Sequence, residues 1–169
     1  SILYGFTKYL LELISKEQPT HIAVSFDPPG GTFRNELYPA YKANRGETPT
    51  PVVQALEPLI QIVSAMNIPV LMVPGFEADD VIGSAAVKFA SEDIDVFMVT
   101  PDKDYGQLVS DHIFQFRPGK SGSENEVLGV SEVCAKWEID RTSKVIDMLA
   151  LCGDSSDNVP GVSGVGPKG

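Results

Sequence analysis

The sequence has few cysteines, and their positions argue against a disulfide framework or a zinc site. Cys134 and Cys152 are the two cysteines among 169 residues. Each falls in an apolar helical pattern, without the CxxC or Cys/His spacing that metal and redox sites use. We therefore expect two buried free thiols and no redox chemistry.

A long apolar run is also absent. The longest apolar stretches, such as PVLMV and DVFMV, are far shorter than the roughly 20 residues that a membrane span needs. No basic, apolar, small-residue signal opens the chain. We expect a cytoplasmic protein with no membrane partner, and its hydrophobic fraction of 43% suffices for one ordinary core.

Positive charge is scarce. Thirteen Lys and Arg residues stand against 23 Asp and Glu residues, which gives a net charge of −10. Because affinity for phosphates comes mainly from Lys and Arg, this balance argues against a nucleic-acid partner unless the cations are concentrated in one place.

Strand and helix patterns alternate along most of the chain. Apolar periodicity predicts helices at 2–16, 51–67 and 81–90, and short apolar runs predict strands at 21–26, 69–73 and 95–100. HIFQF (112–116) adds a predicted edge strand. This alternation predicts an α/β fold whose mostly parallel sheet has helices on both faces.

The pattern changes after the PGKSGSEN loop. Short helices are predicted near 130–137 and 141–152, followed by a glycine- and proline-rich tail. We place a boundary near 121–125, which divides the chain into a core (1–122) and a helical subdomain (123–169).

Acidic residues follow the predicted strands and one predicted helix. In open parallel sheets, ligands bind at the carboxyl ends of the strands, so these acids are candidates for one shared site. Caps and turns are the alternative explanation for each pair taken separately. The eight acids are Asp27, Glu77, Asp79, Asp80, Asp102, Asp104, Asp154 and Asp157.

Such a cluster requires neutralisation. Two like charges 4 Å apart repel by about 4 kcal/mol at an effective dielectric constant near 20, and no matching set of Lys, Arg or His lies nearby in sequence. Hard divalent cations prefer carboxylate oxygens. Because eight acids exceed the needs of one Mg²⁺, we expect two Mg²⁺ or Mn²⁺ ions, the arrangement that catalyses phosphate-ester hydrolysis.

A basic segment (residues 32–50) separates the first predicted strand from the second long helix. It contains Arg34, Tyr38, Tyr41, Lys42 and Arg45, and Pro39 predicts a break within any helix there. Cations that contact phosphates and rings that stack on unpaired bases would bind a nucleic-acid strand. A solvated surface loop is the alternative.

Six motifs together carry a resemblance to a known family. FDPPGGTFR, YPAYKANR, VPGFEADDVIG, VTPDKDYGQLV, GDSSDNVPGV and GVGPKG occur in this order. The chain resembles the 5′ nuclease (5′-3′ exonuclease) domain of bacterial DNA polymerase I, within the flap endonuclease superfamily. The resemblance implies a PIN-like core and two-metal cleavage of DNA at 5′ flaps and 5′ ends, and of RNA primers.

The resemblance also assigns residues. All eight acids fall on the family's metal-site carboxylates, and the basic segment falls on its helical arch. Arg34 and Tyr41 would help to seat the substrate. The residues implied to be catalytic are Lys42, Arg45, Asp79 and Asp102.

The tail GVSGVGPKG resembles the start of a helix-hairpin-helix. In the family this element binds the downstream duplex, often with a monovalent cation, and the residues that match are Gly161, Gly164, Gly166 and Lys168. An ordinary glycine-rich loop is the alternative. The family also has a further metal-site Asp on a strand before the helix that starts here at Ile2. We therefore expect a piece of a larger polymerase, whose activity by itself is open.

Three other interpretations of the sequence deserve comparison. DKD after a strand and GDSSD later resemble a haloacid-dehalogenase-type phosphatase, with Asp102 as nucleophile and Asp104 as acid/base. Gly106 replaces the Thr or Val that this class has two residues after the second Asp. A non-catalytic module that binds DNA junctions is the second alternative, and a Ca²⁺-binding structural domain is weak because no EF-hand loop occurs.

Overall fold

The computed structural model describes residues 1–119 and 124–166, and it divides the chain into two compact units. Unit 1 comprises Ser1–Phe33 and Arg45–Ala78, and unit 2 comprises Arg34–Asn44 and Asp79–Gly169. The boundary predicted near 121–125 is a different division, and it stays a prediction.

Two long helices and a pair of short strands form unit 1. Helix α1 (Ile2–Glu17) begins after Ser1, whose hydroxyl accepts a hydrogen bond from the Tyr4 N–H, and helix α3 is Thr50–Ala65. Strands β1 (Val24–Ser25) and β2 (Val70–Leu71) pair in parallel. The apolar side of α1 packs against α3 in a core around Leu10, Val63 and Ile68.

Unit 2 contains a three-stranded sheet in the order β3-β4-β5. Strand β3 (Val96–Val99) pairs in parallel with β4 (Ile113–Arg117), and β5 (Glu126–Leu128) pairs with β4 in the antiparallel sense. The prediction of an edge strand at 112–116 is therefore wrong, because β4 is hydrogen-bonded on both sides.

Helices also supply much of unit 2. Helices α2 (Phe33–Leu37) and α4 (Ala78–Phe89) each have their first residue in unit 1 and the rest in unit 2. Helices α5 (Val130–Trp137) and α6 (Val145–Cys152) come after the sheet in the chain. A final hairpin pairs β6 (Gly153–Asp154) with β7 (Val159–Pro160).

One face of the three-stranded sheet meets the helices. Met98, Ile113 and Leu128 share a core with Ala86 of α4 and with residues of α5 and α6. Phe97 points to the opposite face by strand alternation and is 49% exposed. In the described residues the parallel strands thus lie in two small sheets.

The mixed α/β fold is confirmed, and most predicted helices and strands occur close to their predicted positions. Cys134 and Cys152 are free, as predicted, but only partly buried. No helix in the described ranges is long and apolar enough to cross a bilayer.

Candidate active site

The first turn of α4 carries two of the predicted metal-site acids. Asp79 and Asp80 lie there, where free backbone N–H groups and the helix dipole favour carboxylates. The hydroxyl of Tyr105, which is 4% exposed, donates a 2.7 Å hydrogen bond to Asp79 Oδ1. The guanidinium of Arg34 donates two 2.7 Å hydrogen bonds to Asp80, one to each carboxylate oxygen. Both acids are thus held by donors of this chain.

A second pair of acids follows β3. Asp102 is the N-cap of the 3₁₀-helix Lys103–Leu108, and its Oδ1 accepts a 3.0 Å hydrogen bond from the Asp104 N–H. Oδ1 of Asp104 is buried, and in the described part of the chain it has no hydrogen-bond partner. Burial, and then the charge of Asp102, raise the pKa of Asp104 to about 6, with further contributions from Asp154 and Asp157. Four predicted acids therefore lie within electrostatic reach of one another.

The third pair lies in the turn between β6 and β7. Oδ1 of Asp154 accepts a 2.8 Å hydrogen bond from the Ser156 N–H, and Lys103 Nζ lies 3.3 Å from its Oδ2. Burial acts to raise the pKa of Asp154, but the Ser156 N–H and the Lys103 ammonium together hold that pKa below its usual value. Oδ2 of Asp157 accepts a 3.1 Å hydrogen bond from the Tyr41 hydroxyl. The turn thus contributes two acids with defined partners.

Part of the basic segment is bound to this hairpin. The Lys42 N–H donates to the Asp157 carbonyl at 2.9 Å, and the Asn158 side-chain amide donates to the Ala40 carbonyl at 2.7 Å. Lys42 and Asn158 both adopt left-handed backbone conformations, with φ of 56° and 59°. Such conformations cost free energy in residues other than glycine, so the bonds between the two segments hold them in place.

Tyr41 is largely covered by its neighbours. Its ring is 9% exposed, with Lys42 Nζ 4.9 Å and Arg34 Cζ 5.9 Å from its centroid. The ring thus contacts two cations while the hydroxyl binds Asp157, and the role of Tyr41 in seating the substrate stays a prediction. The predicted helix break at Pro39 is confirmed, because α2 ends at Leu37.

Three predicted site residues belong to unit 1. They are Asp27, Arg45 and Glu77. Oδ1 of Asp27 accepts a 2.7 Å hydrogen bond from the Ala78 N–H, which fixes it next to the segment that carries Glu77. That these residues join the acids of unit 2 in one site stays a prediction.

The acids of unit 2 can be tested for their fit to a metal. Among the described residues, no group of three or more His, Cys, Asp or Glu side chains is arranged to hold a metal ion. Mg²⁺, however, usually takes only one or two carboxylates and keeps its waters. The buried, unpaired Oδ1 of Asp104, beside the charges of Asp102, Asp154 and Asp157, fits a hard cation.

One step of the sequence argument is wrong. Cations of the protein itself do approach the acids, because folding brings distant segments together and places Lys103 beside the hairpin. The ion pairs are Arg34 with Asp80, Lys42 with Asp157, and Lys103 with Asp154.

The predicted hairpin residues of the tail are only partly described. Lys168 lies outside the described residues. A Cβ on Gly161 would collide with the Cys152 carbonyl, so a glycine is required where the chain after β7 passes close to the end of α6. Gly164, with φ of 83°, and Gly166 each have open space where a Cβ would lie. Their role in binding DNA stays a prediction.

Sequence reasoning missed several residues that hold the acids. Tyr105 binds Asp79, and Lys103 pairs with Asp154. Gln115 is buried and donates to the backbone that leads to Asp102. The signal for Gln115 was present, because an amide in the apolar run HIFQF must find a partner when it is buried.

Comparison with known proteins identifies the family. Residues 1–138 match the family described as 5'-3' exonuclease, N-terminal resolvase-like domain. The chain belongs to this family, as its motifs predicted, and the phosphatase and Ca²⁺-binding alternatives fall away.

Two relatives show how much of a longer protein the chain spans. The 5'-3' exonuclease of Aquifex aeolicus (strain VF5) is 40% identical over 166 residues, which are 98% of this chain and 56% of the relative. DNA polymerase I of Mycobacterium tuberculosis (strain ATCC 25618 / H37Rv) is 42% identical over 166 residues, which are 98% of this chain and 18% of the relative. The chain therefore spans about half the length of the exonuclease and less than a fifth of the polymerase.

Solved structures share the fold. T5 5'-exonuclease with bound zinc ions superposes with a TM-score of 0.74 at 20% identity, over 98% of this chain and 64% of that one. Human GEN1 in complex with Holliday junction DNA superposes with a TM-score of 0.57 at 16% identity, over 95% of this chain and 40% of that one.

Proposed function

We propose that this chain is the nuclease part of a structure-specific 5′ nuclease. It hydrolyses phosphodiester bonds at 5′ flaps and 5′ ends of DNA, and in RNA primers, with two divalent metal ions. The observation that supports this most is the grouping of Asp102 and Asp104 with Asp154 and Asp157 around a buried, unpaired carboxylate oxygen.

The acids of unit 2 are the proposed metal ligands in this part of the chain. Asp102, Asp104, Asp154 and Asp157 would hold one part of the metal centre, and Asp79 and Asp80 would hold another. Bound Mg²⁺ or Mn²⁺ would lower the pKa of a water molecule and supply positive charge for the scissile phosphate. Asp27 and Glu77 would complete the set of ligands.

The basic segment is the proposed substrate contact. The Lys42 ammonium lies 3.9 Å from Asp157 Oδ2, so a cation stands at the edge of the acid group where it can bind a phosphate oxygen. The Arg34 guanidinium, which is paired with Asp80 through both of its terminal nitrogens, would help to seat the substrate next to the first turn of α4. Arg45 would act with Lys42 to orient the scissile phosphate. Concentrated cations of this kind explain how a chain with a net charge of −10 binds DNA.

The names of relatives and structural neighbours support a DNA substrate and a link to a polymerase. T5 D15 flap endonuclease has been solved in complex with DNA and metal ions, and several relatives are named DNA polymerase I. We infer that a polymerase domain is covalently linked in the full protein. We also infer that the glycine-rich tail contacts the downstream duplex, with a monovalent cation.

A cleavage assay tests the function. An end-labelled 5′-flap duplex is incubated with the chain in Mg²⁺ and in EDTA, beside a longer version with its natural N-terminus. We expect cleavage near the flap junction only with metal. We expect Asp102→Asn to abolish it while flap binding persists, and Asp93→Asn, on the exposed surface, serves as a matched control. Flap binding without cleavage by either version would favour a non-catalytic junction-binding module.

A further inference from the structure

Gln115 is a polar side chain in an apolar core. It lies in β4, it is 1% exposed, and its register partners are Met98 in β3 and Leu128 in β5. Burying an amide among such neighbours costs free energy unless its hydrogen bonds are made. The position therefore calls for a specific set of partners.

Those partners are backbone carbonyls at the end of β3. Nε2 of Gln115 donates to the Thr100 carbonyl at 3.1 Å and to the Asp102 carbonyl. An amide nitrogen has two hydrogens, so both are used on this one stretch of chain. The two carbonyls lie on either side of Pro101.

The side chain acts where the backbone ladder stops. The Thr100 N–H donates to the Phe116 carbonyl at 2.9 Å. Every second N–H of a strand points to the same neighbouring strand, so the next donor towards β4 would be the Asp102 N–H, which instead donates to the Thr100 hydroxyl at 3.1 Å. Gln115 extends the connection from β4 by two residues. Asp102 is thereby tied to the central strand of the sheet.

The path of the backbone at Asp102 sets the position of two acids. Oδ1 of Asp102 accepts from the Asp104 N–H, and the Gln107 side chain donates to the Asp104 carbonyl at 2.9 Å. Three short connections thus fix one turn, and Gln115 supplies the one that comes from the core. Loss of its donors would free the start of the turn.

We propose that Gln115 is a positioning residue for the metal centre, which it serves through the backbone at Asp102. This inference rests on the proposed function, because it gives the turn its role as a metal-binding element. Residues that orient metal ligands typically change metal affinity or activity by about 10- to 100-fold when they are replaced. A residue that only fills the core would change stability alone.

Two variants separate these roles. Gln115→Met keeps the length of the side chain and lacks donors. Gln115→Glu keeps the shape but directs a carboxylate oxygen towards two carbonyl oxygens. Val63→Ala is the matched control, because Val63 is fully buried in unit 1, away from the turn in sequence. Gln61→Met controls for the loss of an exposed amide, whose partner is Glu57.

The measurements are the Mn²⁺ dissociation constant by electron paramagnetic resonance, the melting temperature in EDTA, and kcat and KM on a flap duplex. We expect Gln115→Met to weaken Mn²⁺ binding by about 10- to 100-fold and Gln115→Glu to weaken it further at pH 8. We expect DNA affinity in EDTA to be unchanged. Val63→Ala should lower the melting temperature and leave the Mn²⁺ dissociation constant as in the parent chain.

The outcomes distinguish the inference from the function on which it rests. If the parent chain binds Mn²⁺ and cleaves, but Gln115→Met binds Mn²⁺ equally well, the positioning role is overturned and the nuclease stands. If the parent chain binds no Mn²⁺ at millimolar concentration, both are overturned. Should Gln115→Glu fail to fold, Gln115→Met decides the question.

Discussion

The guanidinium of Arg34 and the carboxylate of Asp80 form a bidentate pair, with two parallel hydrogen bonds of 2.7 Å each. The two residues are 46 positions apart in sequence, so the pair ties the start of the basic segment to the first turn of α4. Both side chains remain partly exposed, with 32% and 22% of their side-chain surface accessible. The contribution of the Arg34–Asp80 pair to the free energy of unfolding therefore depends more on its bidentate geometry than on burial.

Replacing Arg34 by Lys tests that geometry. An ammonium cannot reproduce the planar fork, so we expect Arg34→Lys to lower the free energy of unfolding in EDTA by about 1 kcal/mol, measured by urea denaturation. Arg117→Lys is the matched control, because Arg117 makes one 3.1 Å bond to Glu126. Equal losses in the two variants would mean that the second hydrogen bond adds nothing.

Divalent metal should stabilise the chain. A cation that binds the acids only in the folded state adds about 2.7 kcal/mol to the free energy of unfolding at 100 times its dissociation constant. We expect Mg²⁺ and Mn²⁺ to raise the melting temperature, and Asp104→Asn to reduce the rise. A melting temperature that does not change across millimolar concentrations of metal would contradict the proposed metal centre.

The pKa of Asp104 predicts a pH dependence of stability in EDTA. Its pKa is about 6 in the folded chain against an ordinary value of 3.8, so the folded state binds this proton more tightly than the unfolded state. The ionised carboxylate opposes folding above pH 6, and this penalty disappears as the pH falls through 6 towards 4. We expect Asp104→Asn to melt at a higher temperature than the parent chain at pH 8 and to match it near pH 4.

The control for that experiment is Asp93→Asn, which removes an exposed acid. Its difference from the parent chain should stay nearly constant between pH 4 and pH 8. A difference for Asp104→Asn that does not shrink at low pH would contradict the raised pKa.

The Tyr41 hydroxyl should matter for the attachment of the basic segment. Tyr41→Phe removes the 3.1 Å hydrogen bond to Asp157 and keeps the ring that contacts Lys42 and Arg34. We expect a loss of about 1 kcal/mol in the free energy of unfolding and faster proteolysis within the basic segment. Tyr38→Phe, which removes a 3.2 Å bond from an exposed hydroxyl to the Asn158 carbonyl, should have a smaller effect on both.

The sequence predicted the elements better than their arrangement. Helix α1 follows from apolar periodicity and strand β3 from a short apolar run, and both signals depend only on the local sequence. The central position of β4 could not be obtained that way, because its second partner, β5, follows later in the chain and pairs through backbone groups that every residue has. The run HIFQF would have the same sequence pattern whether its strand lay at the edge or in the centre of the sheet.

The candidate site shows the same limit. The acids after β3 and in the last hairpin were found because residue type and position along the chain mark them. Tyr105, which donates to Asp79, and Gln115, which donates to the backbone carbonyl of Asp102, were not found. The apolar run around Gln115 indicates that its amide needs a partner, but no local pattern shows which partner either residue takes. The resemblance predicts that Tyr41 helps to seat the substrate, but the two cations next to its ring are seen only in the folded chain.

Unit 2 is assembled from two separate stretches of chain, Arg34–Asn44 and Asp79–Gly169. Ala40 and its partner Asn158 are 118 positions apart, so at a synthesis rate of 5–20 residues per second the second follows the first by about 6–24 s. Closing so long a loop costs entropy that only late contacts repay. During synthesis on the ribosome, the cations of the basic segment therefore emerge before the hairpin with which they pair. The contacts between the two segments can form only after residues 153–160 have been made.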